Sequence, residues 1–371
     1  VATVVKIHVN VFHIPCLKMF QELGWETWVC AGNDYDDPND CVIPCCDHYI
    51  DIPFERNPLK PGNIKAYRKL RRIIKKEHFD LVYCHTPVGA MLARFAARSS
   101  RKSGTKVVYM AHGFHFFSGA PLLNWMIYYP IEKILSRFTD GLITINQEDY
   151  RRARKFHAGK VVLIPGVGID LGKFQKKEPT RLDIRKRLNI PEEKIVLMSV
   201  GELTKRKNHI TVIEAIAQLK AYDIIFIICG DGPMKARLRE RAEELGVKDR
   251  LKLVGFRNDV AELHKAADIF VFPSLQEGLP VALMEAMASG LPIVASKIRG
   301  NVDLIQDHLG GYLVSVQDPG QYAHAIEEVI KNPEKRQQME KRNLEIIENY
   351  GQEKVLRDMK KFFDEIVGGI C

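Results

Sequence analysis

The stretch from Phe272 to Ser289 constrains the fold of this chain more than any other. An apolar run, Ile269 to Phe272, breaks at Pro273, turns through Glu277-Gly278, and gives way to apolar residues at helical spacing from Val281 to Met287. That pattern predicts a strand, a tight turn and a helix. A helix opening just after Gly278 aims its unpaired first amides and the positive end of its dipole at the turn, which makes the turn a seat for a diphosphate. Pro280 does no harm near the first helical turn, where its missing N–H would have had no partner. Two carboxylates frame the segment, Glu277 at the turn and Glu285 eight positions later. Spacing alone leaves them open between a plain turn residue with a solvated helix residue, and a pair of acceptors for sugar and ribose hydroxyls.

Around this segment the second half of the chain reads as a doubly wound α/β domain. Strands are expected at Ile195 to Val200, Ile224 to Cys229, Leu251 to Val254, Ile269 to Phe272, Ile293 to Ser296 and Tyr312 to Val316, with helices between them. Three loops follow the first three strands: Gly201-Glu202-Leu203-Thr204-Lys205-Arg206-Lys207, Gly230-Asp231-Gly232-Pro233 and Gly255-Phe256-Arg257. One Gly-x-Gly is weak evidence for phosphate binding, whereas three such loops in order reinforce one another. Beyond these strands the chain is charged and helical, and its last helix, Glu353 to Ile366, carries an apolar stripe of Val355, Met359, Phe362, Phe363 and Ile366.

A length of 371 residues suits two cores. The expected domains are 1–170 and 181–350, with 351–371 as a terminal helix and a linker at about Gly168 to Thr180. Charge divides the same way: residues 1–175 hold 24 Lys and Arg against 16 Asp and Glu, while the remainder holds 31 against 30. An anionic partner is therefore expected for the first half only. That half begins in a β-like run, Val1 to Val5, as though part of a first strand preceded it, then gives a helix from Pro15 to Leu23 and strands at Glu26 to Ala31, Leu81 to Cys84, Lys106 to Met110, Leu142 to Asn146 and Val161 to Ile164. Asn63 to Lys76 is expected to be a helix with Ile64, Tyr67, Leu70 and Ile74 on one face and seven Lys and Arg on the others. It reads either as a solvated helix or as a surface for anionic lipid headgroups. Nucleic acid is disfavoured, because no reader motif or aromatic interleaving accompanies the charges. From Phe116 to Ile131 there is no charge, which suits core packing or a lip that meets a bilayer or a lipid-linked acceptor, and Pro130 is expected to end or kink this element. Ala111-His112-Gly113-Phe114-His115 lies just past a strand, at the edge where open parallel sheets bind ligands, and the residues themselves do not choose between His112 and His115.

Eight cysteines show no Cys-x-x-Cys pair, and Cys41, Cys45 and Cys46 near His48 read as a loop with incidental thiols rather than a metal site. No run reaches the roughly 18–20 apolar residues that span a bilayer.

The segment Glu277-Gly278-Leu279-Pro280 to Glu285, followed by Ala288-Ser289-Gly290-Leu291-Pro292, resembles the signature of the retaining nucleotide-sugar glycosyltransferases of family 4, of bacterial capsular or exopolysaccharide type. The resemblance covers essentially the whole chain and implies the GT-B fold, two Rossmann-like domains facing across a cleft with a C-terminal helix crossing back to the first. It implies a donor that is a nucleotide diphosphate sugar, with UDP favoured, a glycan or lipid-linked acceptor, and no metal cofactor. It assigns His112, Lys207 and Glu277 to catalysis, and Gly201, Arg206, Gly230, Arg257, Gly278, Leu279, Pro280, Val281 and Glu285 to the donor: Glu277 orients the sugar, Glu285 the ribose, and His112 reaches the sugar from the first domain. Two departures stand out. Family members usually carry Arg where Glu202 stands, so Lys207 with Arg206 must supply the charge for the leaving diphosphate, and the glycine pair usual in the first loop is missing. The basic first half, the helix at Asn63 to Lys76 and the uncharged Phe116 to Ile131 segment, which the resemblance puts in the acceptor half, lead to the expectation of a cytosolic enzyme that docks reversibly on the inner membrane face. Rivals to the resemblance are another reaction on the same fold, such as an epimerase or phosphorylase, and a catalytically idle partner in a polysaccharide assembly complex.

Overall fold

A computed structural model describes residues 2–33 and 42–368. The chain forms two compact units, one running up to Gly168 and resuming at Gln352, the other Ile169–Gly351. In the first, β1 (Ala2–Val5) leads into α1 (Lys6–Phe12) and α2 (Ile14–Glu22), then β2 (Trp28–Gly32), β3 (His48–Asp51), α3 (Gly62–Glu77), β4 (Leu81–His85), α4 (Pro87–Ala97), β5 (Lys106–Ala111), α5 (Leu122–Leu135), β6 (Gly141–Thr144), α6 (Gln147–Ala153) and β7 (Lys160–Leu163). Among the described residues these strands make a parallel sheet in the order β3-β2-β1-β4-β5-β6-β7.

The second unit runs through α7 (Arg181–Arg187), β8 (Ile195–Val200), α8 (His209–Gln218), β9 (Ile224–Cys229), α9 (Lys235–Glu244), β10 (Leu251–Gly255), α10 (Val260–His264), β11 (Ile269–Phe272), α11 (Val281–Ala288), β12 (Ile293–Ser296), α12 (Asn301–Leu304), β13 (Gly311–Val314), α13 (Pro319–Lys331) and α14 (Pro333–Ile347). Its parallel sheet has the order β10-β9-β8-β11-β12-β13. Both faces are covered, so the central strands are mostly apolar and alternate between two cores. Val196, Met198, Phe270 and Phe272 pack with Leu283, Met284 and Met287 of α11, while Leu197, Phe226, Ile228 and Val271 pack with Val212, Ile216 and Ile326 on the other side.

α15 (Gln352–Val367) belongs to the first unit. Its stripe of Val355, Met359, Phe362 and Phe363 is buried there, with the Phe363 ring 5.0 Å from both Phe20 and Tyr83. Gly141 lets it sit that close, because a Cβ there would stand 2.5 Å from Phe362. Ala2 of β1 stands opposite Cys30 of β2 and Cys84 of β4, and a cavity of about 450 Å³ is lined by Leu17, Phe20, Trp25, Trp28, Leu81 and Tyr83. That cavity lies at the amino ends of β2 and β4.

Two expectations for the first half need correction. β3 occupies a stretch read as loop, where His48 bonds Glu26 and stacks on Trp28, and Cys45 and Cys46 are free thiols; Cys41 lies outside the described residues. Ile64 is exposed, and α3 buries Asn63 instead, because its amide caps the preceding turn by bonding the Asn57 carbonyl and the Glu55 amide. Of the two outcomes open at Pro130, ending the helix does not occur, since α5 continues to Leu135.

α5 divides its residues between the two readings of that segment. Trp125, Tyr128 and Tyr129 pack on the core with Phe116, whereas Leu122, Leu123, Met126 and Ile127 are exposed. A buried ion pair ties the helix down: Arg94 of α4 donates to both carboxylate oxygens of Glu132, at 2.8 and 3.1 Å, with its guanidinium over the Tyr109 ring. Removing one partner of such a pair strands a buried charge, so Glu132→Ala is expected to lower the stability of the first unit by about 3–5 kcal/mol in denaturant titration, and Arg94→Met with Glu132→Leu to restore most of the loss.

Candidate active site

The second sheet reverses its strand order between β8 and β11, and in open parallel sheets ligands bind where the loops diverge at such a reversal. The loops leaving these two strands are joined across that point. Leu275 N donates to Arg206 O at 2.8 Å, and Asn208 Nδ2 donates to the carbonyls of Pro273 and Val316 at 3.2 and 2.9 Å. Loops after β8, β9 and β10 nest in the same way: Gly201 N bonds Cys229 O, and Gly230 N bonds Gly255 O. Gly230 is required there, since its φ is +151° and a Cβ would stand 2.0 Å from Gly201 O.

At the centre of the joined loops lies one carboxylate oxygen with three donors. Glu277 Oε1 accepts from Lys207 Nζ at 2.8 Å, Arg206 Nη1 at 2.8 Å and Ser274 Oγ at 2.7 Å. Among the described residues no donor bonds Oε2. Lys207 is only 9% exposed, and its ammonium stands 4.8 Å from the centre of the Phe272 ring. Burial pulls its pKa below the usual lysine value, opposed by the charge of Glu277. Gly201 borders the same lysine, with room for a Cβ only 3.0 Å from Lys207 Cε.

Gly278, Leu279 and Pro280 form the turn into α11. Pro280 is the residue ahead of the helix and its carbonyl accepts from Leu283 and Met284 at 3.2 Å, so Val281 opens the helix, and the amides of Val281 and Ala282 precede its first hydrogen bond. Gly300 (φ +82°) lets the loop after β12 close on this turn, because a Cβ would stand 2.4 Å from Gly278 O. Glu285 lies in α11, half-buried, and burial raises its pKa to about 7 against the pull of Lys173. Arg257 is exposed and held by Asp259 at 2.7 Å. The structure thus gathers Lys207, Arg206, Glu277 and Gly201 around one carboxylate oxygen, with Gly278 to Val281 as the continuing chain.

Three residues of this site were missed in the sequence. Arg299, 7% exposed, donates from Nε to Glu277 O at 3.2 Å. It follows β12 just as Lys207 follows β8, and its place after a strand was the available signal. Ser274 carried no signal beyond its position in the turn. His209 is buried beside Lys207, and burial lowers its pKa to about 3.

His112 belongs to the first unit, where its Nε2 stands 3.2 Å from Nδ1 of buried His85, while the His115 ring stacks on Tyr128 of α5.

The raised pKa of Glu285 has a sign that stability measurements can read. A carboxyl with a folded pKa above its ordinary 4.5 contributes stability that is full below pH 4.5 and lost as pH rises through about 7. Glu285→Gln lacks that loss. Its melting temperature relative to the natural protein is expected to climb between pH 5 and pH 8, and parallel curves would contradict the burial of this carboxyl.

Both halves match family models, Glycosyltransferase Family 4 over residues 16–172 and Glycosyl transferases group 1 over residues 180–345. The chain is 38% identical over 335 residues to putative glycosyltransferase EpsD of Bacillus subtilis, covering 89% of this chain and 86% of that one. It is 32% identical over 273 residues to an Escherichia coli UDP-Gal:alpha-D-GlcNAc-diphosphoundecaprenol alpha-1,3-galactosyltransferase, covering 71% and 70%. Among solved structures, Anabaena HepE in complex with UDP superposes with a TM-score of 0.77 at 18% identity over 95% of this chain and 96% of that one, and WaaG, a lipopolysaccharide glycosyltransferase, with 0.72 at 18% identity over 96% and 97%. With an identity of 38% over most of both chains and a glycosyltransferase model on each half, this protein belongs to the glycosyltransferases, a family 4 domain followed by a group 1 domain on the GT-B fold.

Proposed function

We propose that this glycosyltransferase moves a hexosyl or N-acetylhexosaminyl group from a UDP-sugar to a hydroxyl of a lipid-linked glycan, with retention at the anomeric carbon, in the synthesis of a cell-surface polysaccharide. The observation that carries the reading is the convergence of Lys207 and Arg206 on one oxygen of Glu277 at the switch point of the second sheet, beside the amino end of α11. Loss of a nucleoside diphosphate builds negative charge on the β-phosphate, and fixed cations and amides at that place stabilise it. Lys207, Arg206 and the amides of Gly278, Leu279 and Val281 fill this role, and no metal is called upon. Arg299 adds a buried positive group at the turn, in a chain with Glu202 where relatives usually have Arg. Glu277, its Oε1 engaged, offers Oε2 to a hydroxyl of the donor sugar, and Glu285 accepts from the ribose diol. His112 is retained as the first unit's residue for the donor sugar. The donor and acceptor classes draw on the E. coli relative, whose name states UDP-Gal and a diphosphoundecaprenol acceptor, and on HepE, solved with UDP and with glucose.

Lys207→Ala is expected to lower turnover of a UDP-sugar by about a hundredfold or more, the usual cost of one group that stabilises a developing anion. A folded variant with an unchanged rate would remove Lys207 from the leaving-group site.

The first unit supplies a surface for the acceptor's lipid. No helix among the described residues is long and apolar enough to cross a membrane. α4 packs against both α3 and α5. α3 exposes Lys65, Arg68, Lys69, Arg71, Arg72, Lys75 and Lys76, and α5 exposes Leu122, Leu123, Met126 and Ile127. Each basic residue close to an anionic surface contributes about 1 kcal/mol, so five or six together hold a protein reversibly. The protein is expected to co-sediment with vesicles containing anionic lipid, less so at high salt and less so for Leu122→Glu with Met126→Glu. Absence of binding to any vesicle at low salt would exclude this docking.

A further inference from the structure

The loop after β12, Lys297 to Gly300, is anchored on its own sheet before it meets the turn into α11. Lys297 N donates to Val314 O of β13 at 2.7 Å, and buried Asn301 donates from Nδ2 to Ser296 O at 2.9 Å. From that footing Arg299 and Gly300 hold two successive carbonyls of the turn. Arg299 Nε donates to Glu277 O at 3.2 Å, and Gly300 comes so close to Gly278 O that a Cβ would stand 2.4 Å from it. Arg299 is buried, and a guanidinium keeps its charge in such a place.

A trans peptide unit is planar and points its carbonyl and its N–H in opposite directions. Fastening Glu277 O therefore fixes the direction of Gly278 N–H, and the close approach of Gly300 to Gly278 O does the same for Leu279 N–H. A charged donor bonds a carbonyl more strongly than a neutral one, which suits arginine to the task of holding a backbone that lies in a turn. We propose that Arg299 is a positioning residue for the diphosphate: through the Glu277 carbonyl it aims the Gly278 amide at the anion, and it does so without touching the anion itself. That the anion is a diphosphate rests on the transfer proposed above, so the test begins with inorganic pyrophosphate, which carries no sugar to transfer.

Pyrophosphate is titrated into the full chain while the Gly278 amide is followed by nuclear magnetic resonance, with circular dichroism confirming the fold of each variant. In the natural protein the Gly278 proton is expected to move downfield and saturate. Arg299→Met keeps the length of the stem and removes the donor, and it is expected to weaken pyrophosphate binding about tenfold or more and to shrink that movement, the scale of one lost hydrogen bond to a charged group. Arg299→Gln carries an amide nitrogen at the same place along the stem as the arginine Nε. It is expected to regain the movement and to bind within about threefold of the natural protein, because a neutral donor still holds the carbonyl. An Arg299→Met variant that binds as the natural protein does, an Arg299→Gln variant as weak as Arg299→Met, or a Gly278 amide that pyrophosphate does not move would each overturn the role of Arg299. Turnover of a UDP-sugar by the natural protein is measured in parallel. Its absence counts against the transfer alone, whereas the titration decides the place of Arg299.

Discussion

Everything at the second sheet's carboxyl edge depends on one oxygen, Oε1 of Glu277. An ammonium as buried as that of Lys207 is costly by several kcal/mol unless an opposite charge and hydrogen bonds replace its water. Glu277 provides the charge, Ser274 completes the oxygen's donors, and the Phe272 ring lies near the lysine head. The two loops carrying Lys207 and Glu277 are fastened by backbone bonds and by Asn208, so the cations are held before any ligand arrives. Such preorganisation is what lets a charged site stabilise a leaving group without first rearranging itself.

The same arrangement explains why much of the second half was legible in the sequence. A parallel sheet covered on both faces writes its strands as short continuous apolar runs, and Ile195–Val200, Ile224–Cys229, Ile269–Phe272 and Ile293–Ser296 were read with the bounds the structure shows. Lys207 and Glu277 were legible because each follows a strand in a turn whose glycines and proline mark it. The bond between them was not, since nothing along the chain announces a contact between positions 207 and 277. Arg299 went unread for the same reason: its contact is with the Glu277 carbonyl, a backbone atom with no signature.

The first half was less legible, and for physical reasons. β3 is half-exposed at a sheet edge and lacks the apolar run of a central strand, so His48–Asp51 resembled loop. α3 presented Ile64 as a face residue, but the buried position went to Asn63, whose hydrogen bonds with Glu55 and Asn57 outweigh the periodicity. The reading of α5 as core was right for one face only, because its aromatic face meets the core while Leu122, Leu123, Met126 and Ile127 are exposed. The two sheets share one order of winding, and each gathers its candidate chemistry at the point of reversal. That recurrence follows from the geometry of loops diverging at a switch point.

The central claim is transfer with retention at the Lys207–Glu277 site, the acceptor attacking from the face the diphosphate leaves and no sugar passing through a bond to the protein. The most direct measurement is the anomeric configuration of the product, by nuclear magnetic resonance, after reaction of an α-configured UDP-sugar with a lipid-diphosphate-linked sugar acceptor. The account predicts an α linkage, release of UDP, and no sugar covalently attached to the protein by mass spectrometry. A β linkage, a glycosylated protein, or a donor that is only isomerised or phosphorolysed would contradict it.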